Sequence, residues 1–193
     1  VLDLSRYPPG MFASMVLGDL GAEVLHIEPP ESTGGARATH RSGEVGPEMA
    51  ARQAAFDPLR RNKRSMLLNL REPQGSEIFH KLAAKADVVL EGFRPGVVQR
   101  LGVDYETLAA TNARLIYCSL TGYGQSGPYR SLPGHDINYI AQAGALGIIG
   151  PKHGPPVIPY NFLADYAGGA LHAVIGILAA VLAREHTAKG QFV

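Results

Sequence analysis

The chain has 193 residues, 46% of them hydrophobic and 18% charged, with 18 basic and 17 acidic side chains and a net charge of +1. This is the composition of a globular protein with enough apolar material for a sizeable core, and the near-neutral balance excludes a whole-chain electrostatic case for nucleic acid. The single cysteine, Cys118, excludes an internal disulfide and points to a reducing, cytoplasmic setting.

In chain order, "VLDL" reads as a short strand and "PGMFASMVLGDLG" as a helix, with Pro9-Gly10 at its start and Gly21 past its end. "AEVLHIE" is the second strand, so the first thirty residues predict a parallel β-α-β unit with a right-handed crossover. No G-x-G-x-x-G loop follows the first strand, so the fold is expected to be Rossmann-like without a nicotinamide function. Residues 29–62, rich in Pro, Gly, Ser, Arg and Glu, read as a long surface loop. "RSMLLNL" (64–70) is a strand, "EPQGSEIFHKLAAKA" (72–86) a helix with Pro73 in its first turn, and "DVVLEGF" (87–93) a strand. "PGVVQRLG" and "DYETLAAT" are short helices, the second capped by Asp104, and "RLIYCSL" (114–120) is the next strand. The run 166–183 approaches membrane-spanning length, but His172, its glycines and Asp165 at its head favour a buried core helix and no membrane partner. The last residues turn through Lys189-Gly190 into another strand. The chain starts inside a strand and stops inside one, and so reads as part of a longer polypeptide. We expect a domain over 1–184 and a connection to the rest over 185–193. Strand and helix alternate throughout, which predicts an α/β fold with a mainly parallel sheet and flanking helices.

Parallel sheets bind ligands at the carboxyl ends of their strands. Two loops leave such ends, "EGFRPG" and "TGYGQSGPYRSLPGHD". The second delivers His135 and Asp136 to the start of an apolar helix expected over about 136–147. Asp136 suits an N-cap; His135, at the mouth of a Gly-rich loop, suits either a solvated position or proton transfer. Asp165 heads the most apolar helix, one turn after Asn161, its expected cap, and the helix dipole there favours a carboxylate. Gly168-Gly169 suggest close approach by another backbone or a ligand. "RRNKRS" (60–65), with Arg94 and Arg100, reads as either a solvated turn or a phosphate clamp. "GQSGP" around Ser126 does not fit the G-x-S-x-G spacing of a serine hydrolase. No histidine pair has metal-ligand spacing with a carboxylate, so no metal is expected.

Seven blocks, "VLDLSR…LGDLGAEVLHIEPP", "RNKRSMLLNL", "DVVLEGFRPGVVQRLG", "RLIYCSLTGYGQSGPY", "GHDINY", "LADYAGG" and "AKGQ", resemble in order the family III acyl-CoA transferases and their α-methylacyl-CoA racemase branch. The resemblance implies the Rossmann-like large domain of an interlocked homodimer that binds an acyl-CoA thioester. CoA would enter as part of the substrate, with no separate cofactor. It places CoA contacts at Leu68, Asn69, Leu70 and Arg71, at Ala86, Asp87 and Val88, at Arg94, and along Gly134, Asp136, Ile137, Asn138 and Tyr139. Pro29 departs from relatives that carry Arg after the second strand. Transferases of the family resemble "GYD" where this chain has "GHDINY", and use the aspartate matching Asp165 as a nucleophile through an acyl-enzyme anhydride. The racemases use His and Asp, here His135 and Asp165, as acid and base. The expected activity is therefore epimerisation of a 2-methylacyl-CoA at its α-carbon, with CoA transfer through Asp165 as the alternative and a non-catalytic CoA-binding module as a third reading. A proton carrier on each face of the α-carbon satisfies the chemistry, and the backbone N–H groups at the helix head would be natural enolate donors.

Overall fold

The computed structural model describes residues 1–30, 48 and 56–193; most of the loop expected over 29–62, His40 included, lies outside the described residues. Among the described residues the strands are β1 (Leu2–Asp3), β2 (Val24–Glu28), β3 (Lys63–Leu67), β4 (Val88–Glu91), β5 (Ile116–Ser119) and β6 (Gln191–Phe192). They form one sheet in the order β3-β2-β1-β4-β5-β6, and every pair is parallel. β1, β2, β4 and β5 fall inside runs the sequence marks as strands, whereas β3 begins one residue before the run expected over 64–70 and ends at Leu67, where the chain leaves the ladder for a loop. β6 joins the sheet beside β5, and the boundary expected at residue 184 falls inside a helix. Gln191 and Phe192 of the segment expected as a connection thus pair within this sheet.

Side chains alternate along the strands and feed two cores, as the two-residue period of a strand requires. Val89, Leu115 and Tyr117 face one side, with Phe79, Ala83, Val98 and Leu108. These come from α2 (Pro73–Ala83), α3 (Val97–Leu101) and α4 (Tyr105–Ala109). Val88, Leu90, Ile116 and Cys118 face the other, against Ala13 and Leu17 of α1 (Pro8–Asp19) and the long apolar helix. Burial pushes the Cys118 thiol up to about 12, so it is an inert core residue. α1 and α2 each begin on proline, whose fixed φ and missing N–H suit a first turn. Asp104 caps α4 through the Thr107 N–H at 3.0 Å, as expected.

The long helix departs from the sequence reading. Phe162–Leu171 is wound as a π-helix and continues as α6, His172–Thr187. Added to Gly168 or Gly169, a Cβ would lie 3.1 Å from the Leu163 carbonyl or 3.0 Å from the Ala164 carbonyl. The glycine pair thus accommodates the helix's own carbonyls five residues earlier, not a foreign backbone. Nor is the helix buried all round. Ala170, Ala173, Val174, Ile177 and Ala180 face the sheet, while Ile175 and Leu182 are 60% and 65% exposed. Of the described helices it is the one long and apolar enough to cross a membrane, and its small-residue face packs on this domain.

A second polar feature joins β1 to its neighbours. Asp3, fully buried, accepts from Ser5 N at 2.8 Å, Ser14 Oγ at 2.5 Å and Lys63 Nζ at 3.4 Å, and meets His26 Nδ1 at 3.1 Å. Burial would raise the Asp3 carboxyl, but His26, Lys63 and Ser14 outweigh it and hold it below the usual range. The basic run 60–65 is likewise neutralised: Arg60 forks onto Glu28 at 2.8 and 3.2 Å, Arg61 pairs with Asp19, and Arg64 meets Glu23 at 3.5 Å. It is not a phosphate clamp, because carboxylates already occupy its donors.

Candidate active site

Strands β4 and β5 release their chains at the same edge of the sheet, and the two loops are bonded together there. Glu91, 1% exposed, accepts from Phe93 N at 2.7 Å and pairs with Ser119 Oγ, which in turn accepts from Gln125 Nε2 at 2.7 Å. Burial pushes this carboxyl up, opposed by the Ser119 and Phe93 hydrogen bonds. Glu91 thus fixes the turn carrying Arg94 and anchors the loop leading to His135. Sequence reasoning passed over it, because an acid inside a strand pattern carries no spacing signal.

The loop ends at α5, Asp136–Gln142, shorter than the helix expected to 147; Ala145–Ile148 follows as a separate 3₁₀ turn after Gly144 at φ 79°. His135 occupies the N-cap position with extended backbone, and its N–H donates to Asn138 Oδ1 at 2.9 Å. Asp136 is not the cap of its own helix. It is buried and its Oδ2 accepts from Ala164 N at 2.6 Å and Asp165 N at 2.8 Å. It therefore caps the π-helix from 28 residues away, and two of the N–H groups expected to stabilise an enolate are already taken. Asn161, expected as the cap, instead donates Nδ2 to Asp165 Oδ2 at 3.2 Å.

These bonds bring the helix heads together, with His135 adjoining the residue that holds the Asp165 backbone. Asp165 is partly buried, and desolvation raises its carboxyl. The Asn161 hydrogen bond opposes that shift, the Asp136 charge adds to it and the His135 side chain lowers it. Burial thus outweighs the dipole effect the sequence suggested, and the Asp165 carboxyl holds its proton more readily than a solvated aspartate. His135 is exposed toward the same region.

Tyr139 lies within the electrostatic reach of both Asp165 and Arg94. Burial raises its phenol, with Tyr123 and Asp165 adding to the shift and Arg94 opposing it. Its ring fits against Gly122 and Gly134, where an added Cβ would approach Tyr139 atoms to 2.2 and 2.6 Å. Residues 68–71 follow the carboxyl end of β3, with Leu68 and Leu70 packed on the core and Asn69 Oδ1 accepting from Arg71 N at 3.1 Å. Leu70 and Arg71 line an open cleft of about 400 Å³ with Ser76 and Arg100. Ile137 and Asn138 are exposed on the first turn of α5.

Ala86, Asp87 and Val88 are not brought to this edge. They stand at the amino end of β4, about 10 Å of strand from Glu91, where Asp87 binds Arg184 at 2.8 Å and Val88 is buried in the core. A ligand at the carboxyl edge meets β4 beyond Glu91, not before Val88.

The sequence signature of CoA-transferase family III matches residues 1–193. Human "Alpha-methylacyl-CoA racemase" is 40% identical over 193 residues, covering 100% of this chain and 45% of the relative. Mouse "Succinyl-CoA:glutarate CoA-transferase" is 41% identical over 194 residues, covering 100% and 43%. A solved CAIB/BAIF family protein from Brucella suis superposes with a TM-score of 0.85 at 35% identity, covering 100% of this chain and 50% of that one. The chain thus spans about half the length of the curated relatives it matches. With the same parallel α/β sheet and an unbroken match from first residue to last, it belongs to CoA-transferase family III.

Proposed function

We propose that this chain is the acyl-CoA-binding part of a 2-methylacyl-CoA racemase that works as an interlocked homodimer. The observation that carries the reading is the tie between the two helix heads: Asp136, next to His135, accepts the N–H groups of Ala164 and Asp165. One group removes the α-proton of the thioester and the other returns a proton to the opposite face. No covalent intermediate is required, and His135 has a purpose that capping alone does not give it. The exposed apolar flank of α6 supports a second chain, or the remainder of this one, as its cover.

CoA transfer is the second reading. It is favoured by transferase relatives of equal similarity and by the Asn161 amide that orients one Asp165 oxygen. There Asp165 attacks the thioester carbonyl, CoA leaves as the thiolate, and the acyl group rests on Asp165 as an anhydride. The full-length protein, incubated with a 2-methylacyl-CoA and a free-acid acceptor in heavy water, separates the two. The racemase reading expects deuterium at the α-carbon and no adduct. Acyl exchange with an Asp165 adduct and no deuterium incorporation would end it.

A further inference from the structure

The strand order reverses between β1 and β4. In open α/β sheets the crevice outside the carboxyl ends at such a switch point is where ligands lie. Arg6 leaves β1 there and Phe93 leaves β4, with the exits held side by side by Leu4 N donating to Leu90 O at 2.8 Å. The Arg6 guanidinium carbon sits 5.2 Å from the Phe93 ring centroid. Both ends of this contact are fixed: Asp3 holds Ser5 N at 2.8 Å, and Glu91 holds Phe93 N at 2.7 Å. A cation over an aromatic face is attracted by the ring's quadrupole, and a guanidinium carries five N–H donors able to reach an anion besides.

Those donors have no acceptor among the described residues. The nearby carboxylates are committed, Asp3 to Ser5, Ser14, His26 and Lys63, and Glu91 to Phe93 and Ser119. Arg71 and Arg94, on the exits of β3 and β4, make no ion pair among the described residues either, in contrast to Arg60, Arg61 and Arg64. Arg6 is also half-buried and repelled by Arg71, and burial first and that repulsion second lower its pKa. A half-buried, unneutralised Arg6 with the exposed Arg71 and Arg94 on the neighbouring exits makes a cationic edge complementary to a phosphate.

We infer that Arg6 is a phosphate-binding residue: held over Phe93 at the switch point, its unpaired N–H groups hold an oxygen of the phosphate-bearing end of the CoA thioester. Arg94, beside Phe93, and Arg71 face the same charge from the neighbouring exits. This inference rests on the acyl-CoA reading of the site, and it names a contact on the segment leaving β1 that the sequence did not suggest.

The test is titration calorimetry on full-length protein with CoA and with the phosphate-free S-acylpantetheine, using Arg6→Gln and Arg6→Lys. The expectation is a loss of CoA affinity of about tenfold or more in Arg6→Gln, a smaller loss in Arg6→Lys, and unchanged S-acylpantetheine binding. Parental CoA affinity in Arg6→Gln would overturn the inference. So would an equal loss for both ligands with a lowered melting temperature, which would mark Arg6 as a packing residue. If the parent binds no CoA at all, the acyl-CoA reading fails by itself. Inorganic pyrophosphate then tests Arg6 alone: binding lost in Arg6→Gln supports it, and equal binding in parent and variant rejects it.

Discussion

Truncating Asp136 to alanine tests the link on which the candidate site depends. Its Oδ2 accepts the N–H groups of Ala164 and Asp165 at 2.6 and 2.8 Å, and the residue is 3% exposed. Alanine removes both acceptors and leaves two donors at the head of the π-helix. A hydrogen bond to a charged group contributes about 1.5–3 kcal/mol. Two bonds sharing one oxygen do not add fully, so the lower figure for each gives about 3 kcal/mol. For a chain of this size each kcal/mol moves the thermal midpoint by about 2–4 °C, so Asp136→Ala should melt about 6–12 °C below the parent by circular dichroism. Asp136→Asn keeps an oxygen for the two N–H groups but loses the charge at the helix head, and should fall between the two. Racemisation should drop further than CoA affinity, because the helix heads bearing His135 and Asp165 are no longer tied. A midpoint within about 1–2 °C of the parent, the range of an ordinary surface change, would refute the reasoning.

His135→Ala should abolish α-proton exchange in heavy water while CoA binding by calorimetry stays within about twofold, since its role lies in the transition state; retained exchange would remove His135 from the mechanism. Arg94→Ala should weaken CoA binding by about 1.5–3 kcal/mol if it makes a charge-assisted contact, and unchanged affinity at modest salt would count against the site. Glu91 has a native pKa raised chiefly by burial, so the stability it contributes is full below the ordinary carboxylate range and lost as pH rises through the raised value. The melting temperature of the parent minus that of Glu91→Gln should therefore fall as pH rises from the ordinary carboxylate range, about pH 4, and a constant gap would contradict the assignment.

Much of the fold was legible because it rests on local chemistry. Strand runs rich in Val, Leu and Ile, prolines in first turns, and Asp104 before its helix each encode their element within a few residues. The candidate pair was legible for another reason: His135 and Asp165 stand at helix starts after turn-forming segments, and "GHDINY" carries a family resemblance. The misreadings share a cause. Asp136 read as the cap of the helix it precedes, yet its partners lie 28 and 29 residues on. Ala86, Asp87 and Val88 read as ligand contacts, and the structure sets them at the amino end of β4, apart from the edge that gathers the other candidates. The basic run 60–65 read as a possible clamp until Asp19, Glu23 and Glu28 were seen to neutralise it.

The sequence by itself determined the strands and most helices, and the residue types available for proton transfer, because propensity, capping and period act over one or two turns of chain. Only the tertiary structure decided which strands are neighbours, since the crossover from β3 to β4 passes the whole first unit and no local signal selects its destination. That choice places Arg6 beside Phe93 and lets Glu91 tie the loops that leave β4 and β5. It also sets the protonation chemistry. The Asp165 carboxyl is raised by desolvation and by the charge of Asp136, and both depend on groups distant in sequence that packing alone brings together.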